Sequence, residues 1–201
     1  MSENVAREPR WLGALVVCAV LSALAVAFIP PELLEELRRR AALERGVTLP
    51  EMSDTAVTVM RVMAPLGAAA ATFLFSFVIA GFYATVFVFV LGDEGRYRQY
   101  LSIHAHALVI PSLAGLVLAP LRISVGDPQL RLSVGSFFYS LPDGYWLNVL
   151  GFLDLTLIWA ILVVAEGVRT IDPRRGYGSS AAILLLSLLA FALALGGVVP
   201  G

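Results

Sequence analysis

The chain has 201 residues, 59% hydrophobic and 14% charged, with a mean hydropathy of +0.84. A soluble domain of this size carries about 25% charged residues, so the deficit excludes a surface that faces water throughout. A net charge of −1 offers no basic field for nucleic acid, and a single cysteine, Cys18, excludes an intrachain disulfide. At ~20 apolar residues per span, the sequence predicts an all-α, polytopic transmembrane helix bundle: five spans in one membrane domain over 11–199.

Residues 1–10 are a short polar tail carrying Arg7 and Arg10. Trp11 to Ile29 is the first span, stopped by Pro30-Pro31. Ala25-Val26-Ala27 has the small-x-small form of a leader cleavage site, but the apolar run is long for a leader and reads as a span. The connection 31–61 is amphipathic. Glu35 with Arg39 and Glu36 with Arg40 stand at i,i+4 in the favourable order. Leu34, Leu37 and Ala41 form a stripe at helical spacing, predicting a helix outside the hydrocarbon. Thr48-Leu49-Pro50-Glu51 reads as a capping box opening a helix whose Met52, Ala56, Met60 and Met63 share one side. The second span, 62–91, is longer than a bilayer needs and is expected to tilt or project. Gly67 and Ala71 give it a small-xxx-small face for close packing.

Gly92-Asp93-Glu94-Gly95-Arg96 is a tight polar turn. The third span, 100–119, contains Pro111, which predicts a kink. Residues 122–145 form a polar loop with turns at Val125-Gly126-Asp127-Pro128 and Pro142-Asp143-Gly144. Between the turns, Leu130, Leu132 and Val134 alternate with polar residues, a weak strand signal. Tyr145 and Trp146 suit an interfacial belt. The fourth span is 147–168 and the fifth 181–199, joined by a second short basic turn from Arg169 to Ser180. The raw arginine count on the two sides ties. Both short turns are basic, however, and short loops carry the positive-inside signal best, which favours an amino terminus inside.

Three stretches resemble a known family. Leu91-Gly92-Asp93-Glu94-Gly95-Arg96-Tyr97-Arg98-Gln99-Tyr100-Leu101 is similar to a glycine turn followed by an aromatic-Arg/Lys-Gln helix start. Leu153-Asp154-Leu155-Thr156-Leu157-Ile158-Trp159, with Gly167 beyond it, is similar to an acidic-then-Trp fourth span ending in Gly. Gly46 to Glu51 stands where a first connection precedes a long second span. Together they resemble the Yip1 domain family in its short prokaryotic form. The Asp-Leu-Tyr-Gly-Pro motif of eukaryotic members, associated with Rab binding and Golgi traffic, is absent from this sequence. The resemblance therefore implies a five-span fold and a place in the bacterial cytoplasmic (inner) membrane, not an activity.

Asp154 is the expensive residue. It is expected about two turns into the fourth span, where an unsatisfied carboxylate costs about 2.5–3.5 kcal/mol. It is the candidate intramembrane polar site, for a proton, ion or lipid headgroup, or else a structural carboxyl. His104 and His106 point about 200° apart on a helix and so cannot ligate one metal together. They read as helix-contact polar residues, and His106 is expected about 10 Å in depth from Asp154. Glu166 and Arg169 read as a snorkelling ion pair, and Trp159 as packing. Glu35-Glu36 with Arg40 fits the Glu-Glu-x-x-x-Arg string of membrane CAAX-type proteases, but it lies on the amphipathic segment instead of in a span. Gly178-Ser179-Ser180, the one string suggestive of a rhomboid-type serine, lies in a polar turn. No metal site, cofactor or catalytic residue is expected. The sequence predicts a non-catalytic protein that contacts membrane lipids, other membrane proteins or further copies of itself. The alternative is a small transporter, channel or scramblase subunit using Asp154.

Overall fold

The computed structural model describes residues 10–138, 140–142 and 144–197. Arg7 of the tail, Asp143 of the second loop turn and the expected end of the fifth span at Val199 lie outside the described residues. Helix makes up 77% of the structure and no strand forms among the described residues, so the molecule is an all-α, polytopic helix bundle.

Helix α1, Trp11–Ala27, buries Leu15, Cys18 and Ala19 while exposing Leu12, Val16 and Val20. A helix apolar on all sides needs protein on one flank and lipid on the other. Pro30, which precedes another proline, is forced into extended backbone. The chain accordingly turns by 84° into α2, Pro31–Glu44, the amphipathic helix, where Arg39 pairs with Glu35 and Arg40 with Glu36. The capping box expected at Thr48–Glu51 does not form. Glu51 reaches Arg39 at 3.3 Å, and the Met52 amide donates to Glu35 at 3.1 Å. These links hold that stretch extended, with Met52 outside the helix. Ser53 caps instead, its hydroxyl accepting from the Ala56 amide at 3.3 Å.

Helix α3, Asp54–Ala84, runs on as a π-helical turn over Thr85–Val90. A Cβ on Gly67 would meet no described residue within 4 Å, so at this glycine the small-residue face expected there packs on no described residue. Gly92, at φ +72°, turns the chain into α4, Tyr97–Ala107, followed by α5, Val109–Val117, and α6, Ala119–Val125. These three form one stretch, Tyr97–Val125. Near Pro111, where the sequence predicts a kink, the regular helix is interrupted at Leu108, within the turn before the proline, which has no amide to offer the Ala107 carbonyl. A 3₁₀ turn at Val134–Phe137 leads to α7, Tyr145–Phe152, then α8, Leu155–Ile171, and α9, Tyr177–Leu195.

The unbroken helix expected over 147–168 is therefore two helices, α7 and α8. Asp154 is extended, at φ −69° and ψ 127°. Around it the Leu155 amide donates to the Leu132 carbonyl at 2.8 Å, and the Val134 amide to Leu153 at 2.9 Å. The strand signal at 130–134 amounts to this one Ser133–Asp154 bridge. Aspartate competes with helical backbone for hydrogen bonds and favours a cap over an interior; here that preference outweighs the apolar run.

Helix α1 packs on α3, α4 and α5, while α8 packs on α4, α5 and α9. The contacts are built from small residues: Ala80, Ala105, Ala107, Ala160 and Ala165 are all buried. In lipid, close approach and dispersion replace the hydrophobic drive between helices. A Cβ on Gly167 would stand 2.4 Å from Ile103 Cγ2, so the glycine permits the α4–α8 approach. The outward faces are apolar, with Leu74, Phe75, Trp159 and Leu186 each more than 60% exposed. Asp54–Val90, Tyr97–Val125 and α9 are each long and apolar enough to cross a membrane, and α1 with α2 passes as a bent pair.

Candidate functional site

Asp154 stands at the amino terminus of α8. Its Oδ1 accepts from the Thr156 amide at 2.7 Å, the Thr156 hydroxyl at 2.6 Å and the Leu157 amide at 3.2 Å. Two of these donors belong to the helix start, where amides lack partners and the dipole favours negative charge. The carboxylate is thus held by its own helix, at the loop end of the bundle and not two turns inside a span.

A second polar group joins the two short turns at the opposite end. Arg175 Nε lies 3.2 and 3.1 Å from the two carboxylate oxygens of Asp93, and its terminal nitrogen donates to the same group. Asp172 accepts from the Glu94 amide at 3.2 Å, and from Arg174 at 3.0 Å through Nε and 2.8 Å through the terminal nitrogen. Both aspartates are buried. The bond from Arg174 holds the Asp172 carboxyl well below the usual carboxylate range. Beneath this clasp Phe87 stacks on Tyr100 with ring centroids 6.0 Å apart. Sequence reasoning marked both turns as polar and missed that they meet. The signal present was Gly92-Asp93 in one turn and Asp172-Pro173-Arg174-Arg175 in the other.

The two histidines separate. His106 is half-buried, with Nδ1 2.7 Å from the Ser102 carbonyl of its own helix. His104 is buried and sits edge-on to Tyr83, ring centroids 5.8 Å apart. Among the described residues no three of His, Cys, Asp and Glu converge as a metal would require. His104 lines a cavity of about 530 Å³ between the helices. Its walls come from α1, α3, α4, α5, α8 and α9. They are mostly apolar, with no Asp, Glu, Arg or Lys among the described residues, but include Ser76, Tyr83, His104 and Ser112. The Ser76 hydroxyl is fully buried and without a hydrogen-bond partner among the described residues. Asp154 is not among the lining residues. Neither Ser76 nor Tyr83 was singled out from the sequence, because polar residues on one helix do not reveal what another brings opposite them. Their seven-residue spacing, which puts them on one face, was the signal available.

Several helices long and apolar enough to cross a membrane, with large apolar side chains on their outward faces, define a multi-pass integral membrane protein. The family model described as the Yip1 domain matches residues 1–199. The chain belongs to the Yip1 domain family. No curated protein and no solved structure matches it.

Proposed function

We propose that this chain is a non-catalytic, five-span protein of the bacterial cytoplasmic (inner) membrane that works through contacts with membrane lipids, and secondarily with partner membrane proteins or further copies of itself. The observation that carries the reading is the cavity of about 530 Å³ between the helices, mostly apolar and without a charged side chain among its described lining residues, a chemistry suited to receiving an apolar molecule from the bilayer. The two spans that complete this count of five are α1, the first in the chain, and α8, the fourth. Each has 17 residues, about 25 Å of helix, just short of a ~30 Å hydrocarbon core. The amino terminus is inside. Supporting this, Trp11 at the start of α1 lies edge-on to Phe77, and the Tyr97 hydroxyl at the start of α4 donates to the Phe77 carbonyl. The starts of α1 and α4 thus meet the same stretch of α3. The clasp joins the two basic turns at one end.

Extraction of the full chain from native membrane into polymer nanodiscs, with mass spectrometry of what accompanies it, tests the reading. Enrichment of a lipid class or a membrane protein over the bulk membrane is expected. A lipid composition equal to bulk with no protein companion would refute it. For orientation, Arg96→Cys is expected to label from the cytoplasmic face and Gln129→Cys from the outer face; the reverse pattern inverts the topology.

A further inference from the structure

The cavity has a chemistry that narrows what it receives. Ser76 and Tyr83 lie on one face of α3, and His104 on α4 packs edge-on against the Tyr83 ring. A hydroxyl, a phenol and an imidazole thus line one apolar hollow. Ser76 lines the cavity, and its hydroxyl, buried beneath the wall, finds no hydrogen-bond partner among the described residues. Burying a hydroxyl without a partner is unfavourable by about 1–3 kcal/mol, and the neighbouring hydroxyls avoid it. Thr72 and Ser187, also in the wall, donate to the carbonyls of Ala68 and Ile183 on their own helices. Ser76 alone of these three is left for something that enters.

The wall excludes as well as invites. Among the described residues it contains no lysine, arginine or carboxylate, so an anionic or cationic headgroup would be desolvated without a counter-charge, which is strongly unfavourable. A neutral head with carbonyl or ester oxygens suffers no such penalty and can accept from Ser76, Tyr83 and His104. The apolar remainder of the wall, with Phe82 and Phe191 within it, suits a hydrocarbon tail or a planar ring. The volume of about 530 Å³ suits one chain better than the two of a phospholipid.

We infer that the cavity between α3, α4, α8 and α9 is a binding site for an uncharged, single-chain membrane amphiphile, its carbonyl-bearing head hydrogen-bonded by Ser76, Tyr83 and His104. The inference rests on the lipid-contact reading above and makes it specific. The same head chemistry occurs in a monoacylglycerol and in a prenyl quinone, and the test separates them.

The full chain, in micelles of a neutral maltoside detergent, is titrated with 1-monoolein, with decylubiquinone and with phosphatidylglycerol, and bound adducts are read by native mass spectrometry. A saturable one-to-one adduct with monoolein or decylubiquinone is expected, and whichever saturates first names the source. Ser76→Ala and His104→Leu change side-chain volume little and remove the donors. Each is expected to weaken that adduct about fivefold, the effect of one net hydrogen bond. Ser76→Leu, which fills the hollow, is expected to abolish it. Melting temperatures of all variants are measured alongside, so that a folding defect is seen as such, and Ser76→Ala supplies the test if the larger changes fail to fold. Equal adducts in wild type and Ser76→Ala, or a preference for phosphatidylglycerol, would overturn the site. Enrichment of lipid or protein in the nanodisc experiment together with unchanged adducts here would leave the broader reading standing and remove only this cavity from it.

Discussion

The two ends of the bundle each bury or engage aspartate, in opposite ways. At the turn end, Asp93 and Asp172 are held by arginines, and the Asp93–Arg175 pair joins positions 82 residues apart. At the loop end, Asp154 is held by residues two and three positions away. The clasp is therefore tertiary structure that fixes how helices meet, whereas the cap is local structure that decides where one helix begins. Removing a partner from each end separates the two roles. Arg175→Ala leaves Asp93, 4% exposed, without its counter-charge; a buried pair broken on one side loses about 3–5 kcal/mol. Since Arg175 itself is 20% exposed, the expectation is the lower end, about 3 kcal/mol, read as a fall in melting temperature in detergent. Asp93→Asn combined with Arg175→Gln removes both charges and is expected to recover part of the loss. If the double variant is no better than the single, the pair is not coupled and the contrast between the ends collapses.

The clasp is backed by the close passage of α4 over α8 at Gly167. A Cβ there would stand 2.4 Å from Ile103 Cγ2, so Gly167→Ala must push the helices apart or displace Ile103. Overpacking of this kind destabilises by about 1–3 kcal/mol. Ile103→Ala creates room, and the double variant is expected to be more stable than the sum of the two single losses predicts. Strict additivity would mean that the glycine has another reason to be there.

At the other end the expected effect is smaller. Asp154→Ala removes a cap, which costs about 1 kcal/mol, whereas Asp154→Asn and Asp154→Ser retain an acceptor and are expected to hold most of it. Flux of ions or lipid across liposomes containing the chain is expected to be the same for wild type and Asp154→Asn. Loss of a flux with melting temperature unchanged would move the working site from the cavity to Asp154.

The difference between the ends also explains what the sequence discloses. The apolar runs of α1, α3, α4–α6 and α9 are visible because lipid demands continuous hydrophobicity, and α2 because its charges and leucines keep helical spacing. Asp154 stands out for the same reason, as a charge in an apolar run. Its position within an unbroken helix is what differs, because hydropathy averages over a window, while capping depends on a single residue and the two that follow. The break at Leu153–Asp154 was legible in principle from Asp154-Leu155-Thr156, in which aspartate precedes a hydroxyl that also bonds it. The clasp was not legible in this way. Asp93 and Arg175 each look like ordinary loop charges, and only the packing of α3, α4, α8 and α9 brings them together. The cavity is further still from the sequence, since Ser76 and His104 matter only through the space left between helices.

The weakest probe of the comparison is pH. Arg174 holds the Asp172 carboxyl below its ordinary value of 3.8, so the folded state binds this proton less readily than the unfolded chain. A group depressed in this direction contributes its stability in full above the unfolded value and loses it as pH falls through the folded one. The melting temperature is therefore expected to show no contribution to its pH dependence from Asp172 between about pH 5 and 8, and a decline setting in below about pH 4. Asp172→Asn, which cannot titrate, is expected to begin from a lower melting temperature and to show a shallower decline in acid. An identical acid limb in wild type and variant would place the acid-sensitive carboxylate elsewhere and would leave Asp93–Arg175 as the part of the clasp that holds the turns.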